Sequence, residues 1–355
     1  MTIIRAEQNV LGALQGTSNK NFLINPSLRY WQALGPSPAA VSASTAESLC
    51  ADGWYVNPGD TGGLYNYTVS RYSVLDADRT SIGDESAEYG VDLNVTSIAN
   101  NTNRGAGLVL KCENVRKSGN KVFTLSFWAK CPTPKTMSIR GVQHFGVAGS
   151  TTVETAATSV AVGSAWQKVV VKLTFPSLSG KVVDANDAQN WFGVSIRFDA
   201  NTTGRIQITQ PQLELGSSVS AFQLPDPLSE LSLCQRYFEK TYAFDTAPGT
   251  ITEVGSIRIW DDNDWVSFFP DVRLQFKQVK LYAPTASAGL WKFYNPTTGT
   301  ADNIRNESGN IAVDVSKEAY RSIHQGQFAH FYTITATNQF TFHFVAKSSF
   351  YTRDY

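Results

Sequence analysis

The chain has 355 residues, with 30 Lys and Arg against 30 Asp and Glu. It therefore carries no global field to draw it to nucleic acid or to an anionic membrane surface. Charged residues are 17% and aromatics 12% of the chain, below and above what a highly charged chain would show, so a large core with aromatic surface to spare is expected.

Residues 1–21 stand apart. Ile3, Ile4, Val10, Leu11 and Leu14 form an apolar stripe at helical spacing, which predicts a short anchoring or oligomerising helix. The alternatives are a helix tucked against its own domain or an unstructured tail. Asn21 to Gln32 reads as an apolar strand pair interrupted at Asn25-Pro26, and Gly35 to Thr45 reads as an exposed loop. Alternating strands are then predicted at Tyr65–Tyr72, Tyr89–Val95, Gly107–Cys112, Val122–Lys130, Ser138–Phe145, Ser164–Phe175, Trp191–Phe198 and Gly204–Leu215. That many strands over one segment suit a two-sheet jelly roll at 22–220.

A connecting element follows at 221–245. Asp226 is placed to cap a helix and Pro227 to begin it, where a missing N–H costs nothing. Leu228, Leu231, Cys234 and Phe238 are expected on its inner face. Residues 246–355 read as a smaller C-terminal β-sandwich, with a hairpin across Asp261–Asp264 and a last strand that puts Phe340, Phe342 and Phe344 on one face. The fold class is thus all-β. There is no internal repeat, and 216–227 is the single Pro/Ser-rich break.

The chemistry is sparse. Cys50, Cys112, Cys131 and Cys234 are too widely spaced for a metal knuckle and are expected as free, buried thiols. The N-terminus shows no apolar leader segment, no 18-residue apolar run is present, and no membrane insertion is expected. No phosphate loop and no nucleophile motif surrounds any Ser or Cys, so no catalytic residue, cofactor or metal ligand is assigned. Asp261, Asp262 and Asp264 lie between Trp260 and Trp265, an arrangement a glycosidase could use, but acidic turns of this kind are common. Asp184 and Asp187 lie in a loop where calcium is conceivable, without the glycine and distant glutamate of a known calcium loop. Trp54, Tyr65, Tyr67, Trp191 and Trp260 lie near loops and are candidate sugar-stacking rings; the alternative for each is a place in the core.

Two sets of residues carry a resemblance. Asn21-Phe-Leu-Ile-Asn-Pro-Ser-Leu-Arg-Tyr-Trp-Gln32 with Ala51-Asp-Gly-Trp54, and Glu214-Leu-Gly216 leading to Leu231-Ser-Leu-Cys-Gln-Arg-Tyr-Phe238, resemble segments of tailed-bacteriophage fibre and virion-surface proteins. Phe269 to Gln275 and Ala283-Pro-Thr285 are similar to a C-terminal strand of the same proteins, although Leu274 and Gln275 depart from its Met-Arg pair. Phe127-Trp-Ala-Lys130, Trp166-Gln-Lys168 and Gln212-Leu-Glu-Leu-Gly216 resemble the galactose-binding-like sandwiches of carbohydrate-binding modules. The resemblance implies a virion protein, a tail fibre or receptor-binding protein. It implies a homotrimer, joined to other virion proteins through residues 1–21, that attaches to host surface polysaccharide without cutting it. A capsid-decorating or head-fibre protein, and a polysaccharide-degrading tailspike, are the alternatives.

Overall fold

The computed structural model describes residues 21–44, 47–59, 64–99, 105–185 and 189–260, and beyond them 272–275, 277, 291–299, 301, 303–306, 312–316, 328–333 and 339–347. The N-terminal stripe, the Asp261–Asp264 hairpin, Asp187 and Ala283–Thr285 lie outside these residues.

The strands of the first half are β1 (Ala39–Ser44), β2 (Ser48–Leu49), β3 (Trp54–Asn57), β4 (Leu64–Ser73), β5 (Tyr89–Ala99), β6 (Gly107–Glu113), β7 (Val122–Lys130), β8 (Lys135–His144), β9 (Val153–Glu154), β10 (Thr158–Val162), β11 (Gln167–Thr174), β12 (Trp191–Phe198) and β13 (Gly204–Leu215). They form two antiparallel sheets, ordered β1-β4-β5-β13-β7-β11 and β10-β8-β12-β6-β3-β2, with β9 beside β8. Neighbours in each sheet are mostly distant in sequence, the mark of a jelly-roll sandwich. The all-β, jelly-roll expectation holds.

Period-2 patterning builds the core between the sheets. In β11, Val169, Val171 and Leu173 are buried while Lys168, Val170 and Lys172 are exposed. The inward residues of both sheets form one apolar cluster, centred on Phe123, which meets Phe22 and Phe175 edge-on at 5.1 and 5.5 Å. Such edge-to-face contacts add about 0.5–1.5 kcal/mol each beyond area burial.

Three local expectations are corrected. Residues 39–44, expected as an exposed loop, pair with β4 as strand β1. Residues 22–31 form no strand pair; they run as irregular chain with turns, and Asn25 and Leu28 adopt positive φ. What replaces the ladder is side-chain bonding: Asn25 Nδ2 donates to Tyr30 O at 2.8 Å and Asn25 Oδ1 accepts from Tyr30 N at 3.2 Å. A helix not foreseen, α1 (Asp76–Ile82), ends at Gly83, whose φ of 76° suits a left-handed cap.

The connecting helix α2 (Pro227–Gln235) is capped as expected, with Ser229 N donating to Asp226 Oδ2 at 2.8 Å. Its inner face is only partly the expected one: Cys234 is buried as anticipated, but the leucines are not. Leu228 is 75% exposed, and the buried residues are Glu230, Cys234 and Gln235. The helix ends before Phe238, which belongs to a strand. A short helix cannot reach the core with leucines here because the surface that it meets is polar. Ser27 N donates to Glu230 Oε1 at 3.0 Å and the Ser27 hydroxyl bonds Glu230 Oε2.

Around that contact the two signature segments form one buried network. Gln32 N donates to Asp52 Oδ1 at 3.0 Å; Gln32 Nε2 donates to Asp52 Oδ2 at 2.6 Å and to Phe238 O at 3.2 Å. Lys240 Nζ donates to three backbone carbonyls, Gln32 O, Phe244 O and Thr246 O. Gly53 turns the chain at φ 80°, and a Cβ there would meet Ile24 Cβ at 3.0 Å. Arg236 Nε donates to Glu113 Oε1 at 2.6 Å, and Tyr237 OH bonds the same carboxylate.

From the helix the chain passes directly into a third sheet: β14 (Phe238–Lys240), β15 (Ile257–Trp260), β16 (Val272–Gln275), β17 (Trp291–Tyr294), β18 (Asn303–Asn306), β19 (Ala312–Ser316), β20 (Phe328–Thr333) and β21 (Gln339–Lys347). β21 pairs with β14, β15, β17 and β18 and so sits centrally; Phe342 and Phe344 are buried on one face as expected. Thr241 N donates to Phe344 O at 3.0 Å and Phe344 N to Thr241 Oγ1 at 2.9 Å, extending the β14 pairing by one residue.

The sandwich is entered and left at one place. Phe22 N donates to Leu213 O at 2.9 Å, and Leu213 N to Asn21 Oδ1 at 3.0 Å.

Candidate functional site

Directly opposed residues in antiparallel strands put their side chains on the same face. The outer face of the β10-β8-β12-β6-β3-β2 sheet can therefore be read row by row from register. One row runs Asn57–Gly107–Arg197–Ser138–Ser159, the next Tyr55–Val109–Ser195–Arg140, the next Lys111–Gly193–Val142–Glu154, and the last Glu113–Trp191–His144. Charged and aromatic side chains sit mid-strand here, and part of the face is packed: Tyr55, Val109, Val142 and Trp191 share a buried cluster with Tyr237, Phe238 and Tyr242.

Two parts of this face differ in character. In the first, Lys111 is wholly buried and pairs with Glu47. Its Nζ lies 4.2 Å from the Tyr55 ring centroid and 4.8 Å from that of Trp191. A charge taken out of water needs such partners; burial still pulls the Lys111 pKa down, against the Glu47 carboxylate that raises it. His144 stacks on Trp191 at 5.3 Å and 27°, with Nδ1 2.9 Å from Thr152 Oγ1. Burial, then the Lys111 charge, pushes His144 down to about 4, so it is neutral at pH 7.

The second part is a pocket of about 240 Å3 at the β8–β10–β12 side, lined by Ser138, Arg140, Glu154, Ser159, Arg197 and Asp199. Arg140 Nη1 donates to Glu154 Oε2 at 3.0 Å, and Arg197 Nη1 to Asn57 Oδ1 at 2.7 Å. Guanidinium, carboxylate and hydroxyl groups thus converge on one small space, all held on strands except Asp199, which follows β12. In the next row, the Ser195 hydroxyl is fully buried with no hydrogen-bond partner. Ser195→Ala is expected to raise stability by about 1 kcal/mol, because it removes an unsatisfied buried group; thermal denaturation would show the gain, and a loss would mean that the hydroxyl is satisfied in solution.

The sequence-assigned rings are distributed as follows. Trp54, Tyr65 and Tyr67 point inward and are core residues at 0–1% exposure, Tyr65 and Tyr67 stacked on each other at 5.0 Å. Alternation told which residues share a face, but not which face is inner. Trp191 is on the outer face beside Lys111, yet its ring is already covered. Trp260 lies in β15, and its side chain is outside the described residues. Arg140, Glu154 and Arg197 were not singled out from sequence. Their signal is an arginine or glutamate inside an otherwise apolar alternating strand, as in Ser138-Ile-Arg140 and Ser195-Ile-Arg197.

Groups suited to nucleophilic or metal chemistry are poorly placed. The four thiols are free and buried; burial raises Cys50 and Cys112 to about 12 and Cys131 to about 11, and pushes Cys234 well up. Asp184 Oδ2 accepts from Ala148 N at 2.9 Å and closes its loop. No helix among the described residues is long and apolar enough to cross a membrane.

No family model matches the chain, and no curated protein matches it. Among solved structures, it is similar to a putative sugar binding protein from Bacteroides thetaiotaomicron, at 15% identity over 55% of this chain and 100% of that one, with a TM-score of 0.34. It is similar to a family 11 carbohydrate-binding module from Clostridium thermocellum in complex with a β-1,3-1,4-mixed-linked tetrasaccharide, at 13% identity over 53% and 99% of the two chains, with a TM-score of 0.31. A xylan-binding domain from Paenibacillus barcinonensis matches at 12% identity over 46% and 92%, with a TM-score of 0.29. Likeness at this level establishes no shared function.

Proposed function

We propose that the chain is a bacteriophage virion protein, a tail fibre or receptor-binding protein, that attaches to a host surface polysaccharide without cutting it. The observation that carries the binding part is the pocket at Arg140, Glu154, Ser138 and Ser159, a rigid set of donors and acceptors on the outer sheet face. Sugar hydroxyls each donate and accept, and a guanidinium beside a carboxylate offers both in a fixed plane. The virion part is supported by the signature residues: Asn25 and Asp52 hold the entry segment in shape, and Gln32 joins it to Phe238 and Lys240 of the third sheet, a firm junction that suits a fibre. A homotrimer, attached to other virion proteins through residues 1–21, completes the reading.

The test is to incubate purified full-length protein with a panel of bacterial capsular and lipopolysaccharide O-antigen preparations. Retention on at least one, with no release of reducing ends over hours, is expected; release of oligosaccharide would replace this reading with a tailspike. Sedimentation would report the trimer, and immunogold labelling of virions would separate tail from capsid attachment.

A further inference from the structure

We propose that the β8–β10–β12 pocket takes one terminal, uncharged sugar unit and does not bind a run of internal units. The inference rests on the polysaccharide-binding reading above and specifies its ligand. The volume comes first: about 240 Å3 lies below the roughly 300–1,000 Å3 of sites for drug-sized ligands, so the space suits a single pyranose ring.

The lining groups set the chemistry. Glu154 is already matched by Arg140, so this part of the pocket does not require a charge from the ligand. Ser138 and Ser159 face each other across β8 and β10 and add hydroxyls that donate or accept. Vicinal hydroxyls of a neutral sugar satisfy such a set without stranding either member of the ion pair.

The third argument is the rest of the face. A polysaccharide lying along a sheet gains most of its affinity by stacking successive rings on aromatic side chains. Among the described residues, the rings on this face are Tyr55 and Trp191, and both are covered: Lys111 lies over each, His144 stacks on Trp191, and both rings belong to a buried cluster with Tyr237, Phe238, Tyr242 and Val345. Tyr55 and Trp191 are 4% and 6% exposed. A chain crossing the face beyond the pocket would therefore meet covered rings. The binding energy is concentrated in one polar pocket, which favours a chain end.

The experiment uses the full chain and a panel of methyl glycosides of neutral hexoses, deoxyhexoses and N-acetylhexosamines, competed against whichever polysaccharide preparation it retains. One methyl glycoside is expected to compete, and defined oligosaccharides ending in that sugar should bind within about three-fold of it. Ser159→Trp, at an exposed edge position, is expected to fill the pocket and lower affinity at least ten-fold, as is Arg140→Met, while Lys172→Ala on the opposite sheet changes nothing. Circular dichroism and thermal midpoints identify any variant that has not folded; Ser159→Trp carries the test if Arg140→Met fails. Affinity that climbs with each added unit, competition by charged sugars alone, or unimpaired binding by folded Ser159→Trp would overturn the proposal while leaving polysaccharide attachment standing. Failure to retain any polysaccharide would remove both.

Discussion

Asp52→Ala is expected to lower the unfolding free energy by about 3–5 kcal/mol, the range for removing one member of a buried charged network. Asp52 accepts from both the backbone and the side chain of Gln32, and its charge, ahead of that of Asp245, supports the buried Lys240 ammonium. Its loss strands two donors and removes the larger of the two carboxylate charges, Asp52 and Asp245, that act on the ammonium. Urea unfolding would measure the change, and limited proteolysis at 216–227 should speed up as the sandwich and third sheet part. A change below about 1 kcal/mol would mean that water replaces the carboxylate at no cost.

The same site should leave a pH signature. Burial raises Asp52 from 3.8 to about 6, and burial lowers Lys240 from 10.5 to about 8. Because the folded chain holds the Asp52 proton more tightly, that contribution is complete below about pH 4 and is lost as pH rises through about 6. The Lys240 contribution runs oppositely: complete above about pH 10.5 and lost as pH falls through about 8. Wild-type stability relative to Asp52→Asn should therefore fall by roughly 3 kcal/mol between about pH 4 and 7, a shift of about two pKa units. A constant difference across that range would show that Asp52 is charged throughout.

Gly193→Val is the second large effect. Strand propensity alone would reward the change by up to about 1 kcal/mol. The structure gives the opposite sign. A Cβ at Gly193 would sit 1.9 Å from Leu110 O, backbone of the paired strand β6 that cannot step aside. A loss of about 3 kcal/mol or more is expected, up to failure to fold. Gly163→Ala is the matched control: its Cβ would meet only Gln167 Oε1 at 3.6 Å, and a change within about 0.5 kcal/mol is expected. Equal thermal midpoints for the two variants would contradict the close approach of β6 and β12.

Much of the sandwich was legible from alternation and β-rich runs; Tyr65-Asn-Tyr-Thr-Val69 in β4, buried at every second residue, is an example. The helix at 227–235 was legible from Asp226-Pro227, but its inner face was not. Leucine spacing pointed to Leu228, whereas the surface that receives the helix is polar and takes Glu230. β1 was hidden because Ala39-Ala-Val-Ser-Ala-Ser44 has little bulk, and its strand character comes from pairing with β4. α1 was hidden by length, since so short a helix depends on tertiary contacts, here those of Asp78 with Tyr72, Trp166 and Lys130. The pocket could not be assembled from sequence at all. β8, β9 and β10 follow one another in the chain, but only the sheet order brings Arg197 of β12 beside them.

Because the chain enters the sandwich at Asn21 and leaves it at Leu213 through mutually bonded positions, the module is closed on itself like a cassette. A different sandwich with the same paired ends can be spliced in without moving the third sheet, provided that it also presents partners to Glu230, Arg236, Phe238 and Lys240. The sandwich can thus be exchanged as one unit while the sheet that receives it is kept.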